Sequence, residues 1–455
     1  MMKYHTRREF VKEALAVLGM IAFGNKKVNA ATRKRKKDTS SAISTVYRAI
    51  NGSADQNLIK IIEMIGGVEK IIAKDDVVVI KPNVQWWNQG APNLLALSTF
   101  VELIMHRPSG FEGEVVIAEN CHRGNEPWKS AGWSRHFERN SSINGIHNFN
   151  ELAHRLKHQY GDRYSTVHWI NVKYGANRVY SAQDGIGYVF CDGTGGVPEI
   201  SFANDAKGAD YRETIMTYPI FKTDRGTLID YKNGIWKNGQ YDNQRVKFIN
   251  LAALNHHSTY CGITSLIKNY LGVSDLSGGP DPHNDGMLTD KYYNFHSFPF
   301  NKWAQGPQPG MIGAEIGVFL SKIRRADFHI VTAKWVGLAD RIEPPVAKVD
   351  AILASSDPVA LDYHSAKYLV YPNSGIRFHD PDNPDSPTYQ YIKSCSDHGG
   401  GVFDESKIRV QSWDFQKQRL QSDDDLVIMA KRYWGNHIRT LAKYAAMRWI
   451  PDLVE

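Results

Sequence analysis

Between Val246 and Gly272 the chain changes character twice. Val246-Lys247-Phe248-Ile249-Asn250-Leu251 has the apolar, β-branched content of a buried strand. It breaks at Asn255-His256-His257-Ser258-Thr259, resumes as a helix-like run from Gly262 to Tyr270, and stops at Gly272. Strand, polar loop, helix is the repeating unit of an α/β fold, whose ligands sit beyond the carboxyl ends of the strands. The same grammar recurs. Asp76 to Ile80 runs into Lys81-Pro82-Asn83, where proline ends the strand. Glu114 to Ala118 runs into Glu119-Asn120-Cys121-His122, Ala326 to Ala333 into Lys334, and Ala351 to Ala354 into Ser355-Ser356-Asp357. Helical spacing covers Ala54 to Ile65, Leu94 to Met105, Gly313 to Ile323 and Val359 to Val370. The expectation is an α/β fold, with a mostly parallel sheet and flanking helices.

Residues 123–245 are less regular and rich in Trp, Asn, Gly and Tyr, with hairpin signals at Asn233-Gly234 and Asn238-Gly239. They read as a large loop and hairpin insertion over the strand carboxyl edge. The main α/β domain is expected over residues 45–420. A C-terminal helix in 421–455, drawn from Asp425 to Trp449, is expected to pack on it.

The chain has 455 residues and a net charge of +7. Residues 1–40 hold eleven Lys/Arg against three acids, which is +8, so the remainder is close to −1. No basic face is left for nucleic acid. The charge belongs to the N-terminus. Thr6-Arg7-Arg8-Glu9-Phe10-Val11-Lys12 resembles the twin-arginine export motif. An apolar run follows from Ala14 to Phe23, and Val28-Asn29-Ala30 suits cleavage. Residues 1–30 are therefore expected to be a signal peptide handled by the twin-arginine machinery, and 31–44 a basic linker. The mature protein is expected in the periplasm or otherwise exported. The apolar run is too short for a permanent membrane span.

Cys121, Cys191, Cys261 and Cys395 are far apart, so neither an iron–sulfur run nor a zinc site of the usual spacing is present. One or two disulfides are compatible with export. Ser265-Leu266-Ile267-Lys268 fits S-x-x-K, but no K-T-G accompanies it. Asp281-Pro282-His283-Asn284-Asp285-Gly286 fails as a calcium loop, with Tyr292 where Glu belongs; its Asp281, His283 or Asp285 could still serve a metal.

Four ordered motifs resemble the domain-of-unknown-function family 362: Val79-Ile80-Lys81-Pro82-Asn83; Phe248-Ile249-Asn250 leading to His257; Gly262-Ile263-Thr264 with Lys268-Asn269 and Gly272; and Ala354 to Asp362. The family commonly has Lys where Asn255 stands, and many relatives carry ferredoxin-type cysteine runs that this chain lacks. The resemblance implies a site at His257.

In a parallel sheet the polar strand ends share one edge, so a cation, an acid, imidazoles and amides would face one crevice. The expected catalytic residues are His257, Lys268 and Lys81. Asn83, Asn255, Asn269 and His256 are expected to bind substrate. A divalent metal would use His257 with Glu119 or Asp357. The expected function is an enzyme acting on a small anionic or polyhydroxylated substrate by histidine acid/base or metal-assisted chemistry. One alternative is a redox protein related to iron–sulfur family members. The other is a glycan- or ligand-binding protein using Trp86, Trp87, Trp128 and Trp133.

Overall fold

The computed structural model describes residues 44–121, 127–171, 178–202, 213–276, 287–296, 309–420 and 426–449. The expected signal peptide and nearly all of the linker lie outside these, as do Asp281, His283 and Asp285. The central sheet contains β1 (Ser44–Ile50), β2 (Val77–Pro82), β3 (Glu114–Cys121), β4 (Tyr164–Asn171) and β5 (Val246–Ala253). It continues with β6 (Phe328–Gly337), β7 (Val346–Ser355), β8 (Ile408–Asp414), β9 (Arg419–Leu420) and β10 (Lys431–Tyr433). Their order is β9-β8-β1-β7-β6-β5-β2-β3-β4, with β10 paired to β7. From β6 through β5, β2 and β3 to β4 every pairing is parallel. By contrast, β7 is antiparallel to both β1 and β6. The fold is thus an α/β fold with a largely parallel sheet.

Helices cover both faces. On one lie α1 (Ala54–Ile65), α2 (Leu94–Met105) and α3 (Phe149–Tyr160). On the other lie α4 (Leu266–Asn269), α5 (Pro309–Lys322), α6 (Pro358–Ser365), α7 (Pro387–Asp397) and α8 (Ile438–Trp449). Strand alternation builds these two cores. In β2, Val78 and Ile80 pack against α1 and α2, while Val77 and Val79 face the other layer. Local signals hold up at the helix ends. Gly66 ends α1 in the left-handed region with φ 97°, and Asn93 caps α2 by accepting from the Ala96 N–H.

Three elements differ from expectation. Residues 149–171, within the expected insertion, form α3 and the edge strand β4 of the main sheet. The hairpins lie later. A five-stranded sheet runs from Gly187–Phe190 to Gln240–Tyr241, and Asn238-Gly239 turns its last hairpin with φ of 53° and 79°. The C-terminal helix starts at Ile438, because β10 pairs with β7 before it. Cys191, Cys261 and Cys395 are buried, unpaired thiols rather than disulfide partners. Among the described residues no helix is long and apolar enough to cross a membrane.

Candidate functional site

Parallel β2, β3 and β5 end at the same edge, and a small cleft, partly open to solvent, lies there. Lys81, Asn83, Glu119, Lys268 and Asn269 all line it. Lys81, Asn83 and Glu119 come from the strand ends, and Lys268 and Asn269 from the helix-like run after the loop. His257 is 5% exposed and stands behind this wall, within the influence of Lys268, Arg341 and His296.

The cleft floor is an ion pair. Lys81 Nζ donates to Glu119 Oε1 at 3.0 Å, to Asn269 Oδ1 at 2.7 Å and to the Pro82 carbonyl at 3.0 Å. Glu119 also accepts from the Val84 N–H at 3.2 Å and the Asn120 N–H at 3.0 Å. Burial pulls Lys81 below the lysine range and Glu119 above the carboxylate range, each opposed by its partner. The two backbone amides can only donate, and Lys81 has three acceptors, so the charged pair fits this cage. Lys81 thus reads as a strut whose three protons are committed to the protein, rather than as the catalytic residue expected. Gly272 makes room for it: a Cβ there would lie 2.8 Å from Lys81 Nζ and 3.0 Å from Glu119 Oε1.

Asn255-His256 pairs with Ile263-Thr264 as a miniature hairpin. Adjacent residues on extended chain point apart, and the two histidines do. His257 Nδ1 accepts from the Ser258 N–H at 2.9 Å, so the neutral ring carries its proton on Nε2. Burial, followed by the charges of Lys268 and Arg341, holds the His257 pKa well below the usual range. His256 turns the other way. Its Nδ1 meets His379 Nε2 at 2.8 Å, and His379 Nδ1 meets Ser374 Oγ at 2.7 Å.

Two expected residues have other work. Asn255 donates to the Gln89 carbonyl and accepts from the Gly337 N–H at 2.8 Å, so it ties loops together instead of facing a substrate. Replacing Asn255 with Ala should cost about 1–3 kcal/mol by stranding that buried N–H. Urea denaturation measures it, and an unchanged midpoint would refute the tie. Asp357 lies at the other edge. Because β7 runs antiparallel, its end residue Ser355 pairs with His329 near the start of β6. The Asp357 carboxylate caps α6, accepting from Val359, Ala360 and Val402 amides at 2.9–3.0 Å. The expected metal set of Glu119, His257 and Asp357 therefore does not fit: one ligand is across the sheet and Glu119 is already saturated. Among the described residues no cluster of three His, Cys, Asp or Glu is arranged to hold a metal.

Sequence reasoning missed Arg341 and His296, which also line the cleft. Arg341 follows the end of β6 by four residues, so a wider strand-end window would have found it. His296 follows a short insertion strand and carries no such signal. Of the four tryptophans, Trp86 lines the cleft and Trp128 is 42% exposed. The Arg341 guanidinium lies over Trp86 at 5.3 Å, Arg135 lies over Trp87 at 4.3 Å, and Trp133 is fully buried. Trp128 packs edge-on against Trp133 and His168. No protein-family model, curated protein or solved structure matches this chain.

Proposed function

We propose that this chain is an exported α/β protein of the family-362 kind whose cleft takes a small, multiply charged anion as substrate. The observation that carries the reading is the charge of the cleft wall. The cations Lys268 and Arg341 both line it. Fixed cations in a partly desolvated cleft stabilise negative charge that develops on a bound substrate. Arg341, stacked on Trp86, suits a carboxylate or phosphate because its guanidinium offers two parallel donors. His257 supplies a buried, neutral imidazole near Lys268, poorly able to store a proton. The family resemblance and the export signal support the setting.

Calorimetric titration with sulfate, phosphate, oxalate and citrate tests this. Lys268→Met and Arg341→Gln are each expected to weaken the tightest of these by roughly 10–100-fold, the value of one charge-assisted hydrogen bond. Neutral sugars should give no heat. Sugar binding that survives both substitutions, with no anion bound, would sink the reading.

A further inference from the structure

Lys268 sits on a helix that cannot hold itself in place. α4 is a single turn, Leu266–Asn269, far below the length at which a helix is stable alone. Ser265 stands at its N-cap position and makes no capping bond to it. The missing acceptor comes from α6, nearly a hundred residues later in the chain. Asp362 Oδ1 accepts from the Leu266 N–H at 3.1 Å, and Oδ2 from the Ile267 N–H at 2.9 Å. These are two of the orphan amides every helix start exposes. The carboxylate is fully buried. Its titratable neighbours, Cys261, Tyr391 and Cys395, are all held neutral by burial, which raises each of them. Burial lifts Asp362 to about 6, opposed by the Ile267 amide, the Ser265 side chain and the Leu266 amide, so it is ionised at neutral pH.

The far end of α4 is tied as well. The Asn269 amide donates to the Lys81 carbonyl at 3.1 Å and to Asn250 Oδ1 at 2.8 Å, and Gly272 lies against the Lys81–Glu119 pair. The turn carrying Lys268 is therefore held between two fixed points, one in β2 and β5 and one in α6.

We propose that Asp362 is a positioning residue of the anion cleft, holding the first two amides of α4 so that Lys268 is aimed into the wall. This rests on the anion reading above. It also gives Ala354 to Asp362 two separate tasks: Asp357 starts α6 at one edge of the sheet, and Asp362 reaches from that helix to the cleft wall.

The experiment titrates sulfate and oxalate into wild type, Asp362→Asn, Asp362→Ala, Lys268→Met and the Lys268→Met/Asp362→Ala double variant. Amide exchange across residues 266–269 is followed in parallel. Asp362→Asn keeps one carbonyl acceptor and should lose about threefold in affinity; Asp362→Ala should lose about tenfold or more. In the Lys268→Met background Asp362→Ala should have no further effect, because its route of action is gone. Exchange at 266–267 should rise in Asp362→Ala. If Asp362→Ala does not fold, Asp362→Asn alone and with Lys268→Met carries the same comparison. Wild-type protection at 266–269 in the Asp362 variants overturns the proposal, as does an affinity loss that persists in full without Lys268. A wild type that binds neither anion, with protection lost in Asp362→Ala, overturns the anion reading and leaves Asp362 as an anchor only.

Discussion

Acidification from about pH 7.5 to about 5.5 is expected to lower the stability of this protein by several kcal/mol. His256, His257, His329, His364 and His379 are all buried, and burial is the first cause holding each pKa below the ordinary 6.5. The sign follows from linkage. The unfolded chain takes up protons as pH falls through about 6.5, while the folded imidazoles remain neutral, so stability is full above that value and lost below it. One unit below, each such histidine has cost roughly 1.4 kcal/mol, or about 7 for five. Carboxyls that burial raises, Glu119, Asp357 and Asp380 among them, act oppositely. Burial raises Glu315 and Asp362 too, so the folded state takes up their protons earlier than the unfolded chain. They offset part of the histidine loss over this window. Urea denaturation at the two pH values measures it. A flat or rising stability on acidification would mean that the histidines gain protons without opening their surroundings.

Replacing Glu119 with Ala is expected to cost roughly 3–5 kcal/mol, because it leaves the Lys81 ammonium buried without its counter-charge. Lys81 is 6% exposed, and its remaining bonds, to Asn269 and Pro82, are to neutral acceptors. The Val84 and Asn120 amides would lose their acceptor too. The double substitution Lys81→Met/Glu119→Leu should recover much of the loss, since removing both charges also removes the desolvation penalty. A double-mutant cycle by urea denaturation decides the matter. Additive single effects would show that the two groups do not depend on each other. Because Asn269 and Gly272 pack on this pair, Glu119→Ala should also weaken binding of any anion held by Lys268.

How far the site was legible depends on what each expectation required. Lys81, Asn83 and Glu119 needed only the rule that polar residues after buried parallel strands meet at one edge, whereas Lys268 and Asn269 came with the helix-like run and the family resemblance; the cleft gathers all five. Asp357 needed a strand direction. An apolar run such as Ala351 to Ala354 reads the same whichever way it is inserted, and β7 lies antiparallel to its neighbours. Its polar end was thereby carried to the opposite edge. Asn255 and His256 needed side-chain directions on a two-residue strand, which residues 337, 89 and 379 decide.

The sequence by itself determined the elements. Strand runs, the glycine ending α1, the asparagine capping α2 and the Asp-Pro start of α6 are local chemistry, set by neighbours in the chain. It also placed the main positive charge in the first 40 residues and left the body balanced. Only the tertiary structure decided which groups are charged struts, which are caps and which line the cleft. Those roles turn on burial and on partners such as Asp362 and Leu266, 96 residues apart. No local pattern encodes a hydrogen bond across that separation, because it forms only when two helices pack on one face of the sheet.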